Sequence, residues 1–207
     1  MTNSDDDLAL LQRWRTGERD AGNELVRRHF RTVYRFFRSK LDGDVEDLVQ
    51  RTFVTCAKVE FRGQSRFTTF LLGIARNLLL QHLRDVKRRP QPESLSVAEL
   101  RDPASPSRQI LLQQRQQLLM TALQRLSLDL QTTVELYYWE QLTLPEIATV
   151  LEVPVGTIKS RLARARDLLR RHLAELTGAP AEDFDDPERV AAWAEDLRGA
   201  VDNSASR

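Results

Sequence analysis

The chain carries 207 residues, with 31 Lys+Arg against 30 Asp+Glu, 41% hydrophobic residues, 8 Gly and 8 Pro. That length supports one or two domains with substantial cores, and the low Gly and Pro content excludes collagen-like, low-complexity and loop-rich all-β architectures. The single cysteine, Cys56, excludes an intramolecular disulfide framework and a cysteine-cluster metal site.

His29, His82 and His172 lack metal-ligand spacing, so neither metal nor cofactor is expected. No apolar run approaches the roughly 18 residues of a membrane span. The acidic Asp5-Asp6-Asp7 opening lacks the basic-then-apolar order of a secretory signal. A cytoplasmic protein without membrane insertion is therefore expected.

In chain order, Leu25, Val26, His29, Phe30, Val33, Phe36 and Phe37 recur at three- and four-residue spacing, which predicts an amphipathic helix. Asp44 is a candidate cap for a second helix, with Leu48, Val49, Phe53 and Ala57 facing inward. A third helix is predicted from about Thr69 to Lys87, where Gly73 marks a candidate close approach. Between them, Phe61-Arg-Gly-Gln-Ser-Arg-Phe-Thr-Thr-Phe70 alternates aromatic with polar side chains. Such rings can stack bases while the cations follow a phosphate backbone, or they can anchor the loop to the core.

Pro90, Pro92, Pro103 and Pro106 predict an extended linker over 90–108, because proline removes backbone donors and disfavours helix in the residue before it. The linker separates helical blocks at 8–89 and 109–177. The predicted class is all-α: two small helical domains, a linker, and an acidic extension at 178–207.

The second block holds the sharpest local signal. Thr143-Leu-Pro-Glu146 has the form of a capping box, with Ile147, Ala148 and Leu151 facing inward. Glu152-Val153-Pro154 ends that helix, and another begins near Val155 with Ile158, Leu162, Ala165 and Leu169 inward. This is helix-turn-helix spacing. It leaves Gly156, Thr157, Lys159, Ser160, Arg161 and Arg164 outward at the second helix's start, where glycine and the helix N-terminus favour a phosphate and Arg or Lys can donate to guanine. A helical hairpin with a solvated basic face is the plainer alternative.

Charge is unevenly spread. Residues 61–89 carry a net +6, 153–177 a net +4 and 178–207 a net −5, which points to a polyanion as partner for the two basic stretches. In the tail, Val190, Trp193, Leu197 and Val201 share one face of a possible helix opening at Asp186-Pro187. Two readings stay open: a regulatory element whose acids compete with DNA, or a tail of no special consequence.

With these pieces placed, the sequence resembles the extracytoplasmic-function (ECF) group of sigma-70 RNA polymerase sigma factors over about residues 8–177. Asp44-Val-Glu-Asp-Leu-Val-Gln-Arg-Thr-Phe53 is similar to the family's clamp-docking helix. Phe61-Arg-Gly, Phe67-Thr-Thr-Phe70 and Ile74-Ala-Arg-Asn77 resemble its −10 recognition and melting segment. Leu142 to Ile147, then Val153-Pro-Val-Gly-Thr-Ile-Lys-Ser-Arg-Leu162, resemble its −35-binding helix-turn-helix.

The resemblance implies that Asp47, Gln50 and Arg51 bind core RNA polymerase. It implies that Arg62, Gly63, Gln64, Ser65 and Phe67 hold an extruded −10 base, with Arg76, Asn77 and Arg84 alongside. It further implies that Gly156, Thr157, Lys159, Ser160, Arg161 and Arg164 meet the −35 duplex. The implied partners are core polymerase, promoter DNA, and either an anti-sigma factor or the chain's own tail as regulator. Three positions depart from the family's pattern: Phe70 where Trp is usual, Ser127 where Pro is common, and Leu144-Pro145 at the entry to the penultimate helix. Neither a Walker loop nor a Cys–His pair is present, so no enzymatic activity is expected. The competing readings are a helix-turn-helix regulator acting without polymerase and a helical protein–protein adaptor.

Overall fold

The computed structural model describes residues 3–41, 43–61, 63–88 and 117–178. The predicted linker at 90–108, the tail beyond Gly178 and Arg62 lie outside the described residues. The described residues are helical throughout, without a strand: α1 (Asn3–Arg15), α2 (Arg19–Arg38), α3 (Glu46–Lys58), α4 (Phe67–Arg88), a segment α5 at 117–124, α6 (Leu128–Tyr138), α7 (Leu144–Leu151) and α8 (Val155–Thr177). None of these helices is long and apolar enough to cross a membrane.

Helices α1–α4 form the first bundle. Leu25, Val33, Phe36 and Phe37 of α2 are buried as their spacing predicts, against Leu48, Val49 and Phe53 of α3 and Leu71, Leu72, Ala75 and Leu79 of α4. Each of the valine, leucine and phenylalanine side chains contributes roughly 1.5–3 kcal/mol when removed from water. Ala57 is only half-buried; Cys56 takes the interior place one position earlier. Helix α3 begins at Glu46 with Val45, not Asp44, at its N-cap; Asp44 stands one residue further out and accepts from the Glu46 N–H at 2.8 Å. Gly73 marks no close approach, since a Cβ built there meets nothing within 4 Å.

Helix α1 has no counterpart in the sequence reading. Its Leu10 and Leu11 join the core, and its buried Asp7 carboxylate meets Arg28 at 3.2 Å and the His29 ring at 2.8 Å, tying α1 to α2.

Helices α5–α8 form the second bundle around Leu123, Leu136, Ile147, Ile158, Leu162, Ala165 and Leu169. In α7 the interior positions are Ile147, Val150 and Leu151, while Ala148 is half-buried. The two bundles are not held apart. Helix α7 packs along α4, and the buried apolar residues form one continuous cluster.

Candidate nucleic-acid interface

The helix-turn-helix follows from its caps. Thr143 Oγ1 accepts from the Glu146 N–H at 3.5 Å, and the Glu146 carboxylate accepts from the Thr143 N–H at 2.8 Å, closing the predicted capping box with Pro145 in the first turn. Such a cap contributes about 0.5–2 kcal/mol and fixes where α7 starts. Glu152 ends α7 in the left-handed region at φ 54°, and Pro154 opens α8. The turn is therefore the predicted Glu152-Val153-Pro154.

On α8, Gly156, Lys159, Ser160 and Arg164 are exposed, while Thr157 and Arg161 are half-buried. Around Gly156 there is open space for a close approach. Arg161 is held by Asp129 of α6 at 2.6 Å. Ser160 Oγ donates to the Thr157 carbonyl at 2.9 Å. Ser160, Arg161 and Arg164 line a cavity of about 410 Å³ against Asp129.

In the first bundle, Asp47, Gln50 and Arg51 stand on the exposed side of α3, with Arg51 3.7 Å from Asp47 one turn away. Val54 extends the same face and is 44% exposed, an apolar neighbour that the motif reading passed over.

The loop ends at Arg66, where α4 begins; beneath it Phe61 and Phe70 stack at 4.7 Å, and Phe67 packs edge-on to Phe61 and against His29 at 4.9 Å. Phe67 is 1% exposed. It therefore offers no face to a base in this structure and supports the loop from below, correcting its place among the expected base contacts. Gly63 and Gln64 are exposed and Ser65 is half-buried; Gly63 adopts φ 69°, a left-handed conformation suited to glycine. Asn77 and Arg84, seven residues apart, share one exposed side of α4. Arg76 turns away from them toward α7, where it meets Glu152 at 3.5 Å.

The structure brings the two predicted DNA surfaces together through residues that the motifs did not single out. Arg35 Nε and Nη2 donate to Glu140 Oε1 at 3.1 and 2.5 Å. Lys40 Nζ donates to the Phe36 carbonyl at 2.9 Å, to Ser39 Oγ at 3.1 Å and to Glu135, filling all three ammonium donors. Gln131 Nε2 donates to the Ser39 carbonyl at 2.8 Å and to Glu135 Oε1 at 3.0 Å. Burial pushes the Lys40 ammonium down and the Glu135 carboxyl up, each toward its neutral form, against their mutual attraction. Removing one partner of such a buried pair costs about 3–5 kcal/mol. The apolar spacing of α2 carried no signal for this contact, because Arg35 lies on the side of the helix turned away from Val33 and Phe37.

Comparison with known proteins decides the family. The description "Sigma-70 region 2" matches residues 25–89, and "Sigma-70, region 4" matches residues 116–169. The ECF RNA polymerase sigma-E factor of Haemophilus influenzae is 30% identical over 82% of this chain and 96% of its own. The chain belongs to the sigma-70 family of RNA polymerase sigma factors.

Similarity to the ECF group extends to the sigma-E factor of Escherichia coli K12, 31% identical over 79% of this chain and 92% of its own. The RNA polymerase sigma-H factor of Pseudomonas aeruginosa is 32% identical over 85% and 98%. Among solved structures, the sigma factor RpoE of Bartonella quintana, in complex with the anti-sigma factor NepR, matches with a TM-score of 0.53 at 28% identity, covering 74% of this chain and 92% of that one. CnrH, in complex with the cytosolic domain of CnrY, shares the fold with a TM-score of 0.59 at 24% identity, covering 82% and 98%. As a sigma factor, this chain directs promoter-specific transcription initiation; the region 2 match runs from within α2 through α4, and the region 4 match from α5 into α8.

Proposed function

We propose a division of labour among the surfaces described above. The α3 face of Asp47, Gln50, Arg51 and Val54 binds core polymerase. The loop around Gly63, Gln64 and Ser65, with Arg62, Asn77 and Arg84, captures non-template bases of the −10 element after they leave the stack, so that binding offsets an unstacking cost of a few kcal/mol per base. Arg76 joins them once it leaves Glu152. The start of α8 reads the −35 duplex through the major groove: Lys159 and Arg164 supply base or phosphate contacts, and Arg161 is steadied by Asp129.

The observation that carries this reading is the capped α7–turn–α8 unit, which presents exposed Lys159 and Arg164 from a buried Ile158–Leu162–Ala165 spine. Polymerase performs the chemistry and this chain supplies recognition, acting in the cytoplasm. The NepR complex of RpoE supports an anti-sigma factor as a further partner.

The test is transcription of sheared host genomic DNA by core polymerase with and without the full chain, mapping RNA 5′ ends. A shared upstream motif appearing only with the chain is expected. Arg161→Ala should weaken binding to that motif's −35 half by about 1–3 kcal/mol. No chain-dependent start sites would sink the proposal.

A further inference from the structure

Helix α1 reaches the loop assigned to base capture from below. Gly63 stands in the left-handed region at φ 69°, and a Cβ built there would lie 3.5 Å from Leu8 Cδ2, an ordinary packing distance, so the loop backbone rests on the Leu8 side chain. One residue earlier, the Asp7 carboxylate is buried. Its Oδ2 accepts from His29 Nε2 at 2.8 Å and its Oδ1 from Arg28 Nη1 at 3.2 Å. A carboxylate held at both oxygens fixes the orientation of the imidazole. The His29 ring in turn tilts against Phe67, with centroids 4.9 Å apart, and Phe67 packs edge-on to Phe61 at 5.6 Å. Two lines of contact thus run from α1 to the loop: Leu8 directly to Gly63, and Asp7 through His29 and Phe67 to Phe61 at the loop's start.

The far end of α1 is anchored independently. Trp14 lies against Gly22 of α2, and Arg15 donates to the carbonyls of Ala57 and Cys56 at the end of α3. With that end held, the helix presents Asp7 and Leu8 to the loop as fixed supports. The region 2 match begins at residue 25, so neither support belongs to it.

We propose that Asp7 and Leu8 are positioning residues for base selection at −10: through His29–Phe67 and through Gly63 they hold the 63–66 backbone in the shape that accepts one base over another. Both act through other residues rather than on DNA. An extruded base is captured only if binding offsets its unstacking. A loop that must be ordered at that moment subtracts its own conformational entropy from the capture, whereas a supported one does not. A slack loop also adapts to the wrong base, so losing the support lowers discrimination at −10 and leaves −35 reading intact. The selection rests on the −10 assignment proposed above; the support itself can be measured without DNA.

The experiment compares the full chain with Leu8→Ala, Leu8→Met, Asp7→Ala and Trp14→Ala, the last loosening α1 on α2 away from the loop. Backbone amide NMR relaxation of the free proteins reads the support. Order parameters of the Gly63, Gln64 and Ser65 amides should fall from about 0.85 toward about 0.6 in Leu8→Ala and Asp7→Ala. They should stay near the parent value in Leu8→Met and Trp14→Ala. Start-site mapping with core polymerase on sheared host genomic DNA reads selection. In Leu8→Ala and Asp7→Ala the preference for the favoured base at one −10 position should drop by about fivefold or more, with the −35 motif unchanged, and Leu8→Met should keep it. Thermal melting followed by circular dichroism checks folding; should Asp7→Ala fail to fold, Leu8→Ala and its Met counterpart decide alone. Unchanged order parameters would overturn the support. Lower order parameters with an intact −10 preference would overturn the selection. Absence of start sites with the parent chain itself would sink the promoter reading, and the selection with it.

Discussion

Gly22 lies flat against the indole of Trp14: a Cβ at position 22 would stand 2.6 Å from Trp14 Cδ1 and Nε1 and 2.7 Å from Cε2. Those atoms belong to the rigid five-membered ring, met on its face, so the indole cannot yield by swinging a flexible tip. The contact lets α1 lie close on α2 and gives a glycine inside a helix its reason. Gly22→Ala should destabilise the chain by a net of about 1 kcal/mol or more. Overpacking costs about 1–3 kcal/mol, and improved helix propensity returns up to about 1. In a Trp14→Ala background the steric term vanishes, and the same substitution should become stabilising. Urea unfolding of the four proteins reads the reversal, and a destabilisation that persists without the indole refutes it.

Arg15, the last residue of α1, ties that helix to the C-terminus of α3. Its Nε donates to the Ala57 carbonyl at 2.9 Å, and its Nη2 donates to the Cys56 carbonyl at 3.1 Å and to that of Val59. These are carbonyls that a helix C-terminus leaves unpaired, and a cation there also complements the helix dipole. Arg15→Ala should cost about 1.5–3 kcal/mol, the range for hydrogen bonds to a charged group. Arg15→Lys should recover only part, because an ammonium lacks the planar fork. Hydrogen exchange is the direct check: amides in the last turn of α3 should exchange at least about tenfold faster while α8 amides keep their rates.

Cys56 sits on that same turn with 0% exposure, and burial pushes its thiol from an ordinary value near 9.0 up to about 12, with Arg15 pulling weakly the other way. The sign follows from linkage. A group whose folded pKa is raised contributes stability that is complete below its unfolded value and is lost as pH rises toward the folded one. The fold should therefore lose stability between about pH 9 and pH 12, and Cys56→Ala should blunt that loss. Iodoacetamide at pH 8 should leave the native chain unmodified and alkylate it fully in urea, because only the thiolate reacts. Rapid labelling of the folded chain would contradict the burial argument.

The sequence was informative where a pattern repeats and silent where a contact is made once. Helices α2, α4 and α8 follow from apolar spacing, and the Thr143 box places α7 to the residue, because both signals are local. Phe67 shows the limit. From the residues alone a phenylalanine between Arg66 and Thr68 reads as a loop anchor somewhat more than as a base platform, and its neighbours His29 and Phe61 decide for the anchor. The inter-region contact was illegible for a stronger reason. Lys40 and Glu135 are 95 residues apart and each is unremarkable in its own segment; their burial exists only once α2 meets α6.

The extension from Gly178 to Arg207, outside the described residues beyond its first, carries eight acids and three arginines, against a net +6 for the rest of the chain. If the tail is the regulatory element, its tethered acids would be expected to compete with phosphates for the basic start of α8, at an effective concentration in the millimolar range. Deleting 178–207 should tighten binding to a promoter-bearing duplex several-fold at low salt, with the gain shrinking as ionic strength rises and screening shortens the reach of the tail's charge. A variant with Asp183, Asp185, Asp186 and Glu188 changed to the corresponding amides separates charge from chain length. It should reproduce most of the deletion's effect. Unchanged or weaker binding on deletion would rule out competition by the tail, and an effect of deletion absent from the amide variant would assign it to the Val190–Trp193–Leu197 stripe instead.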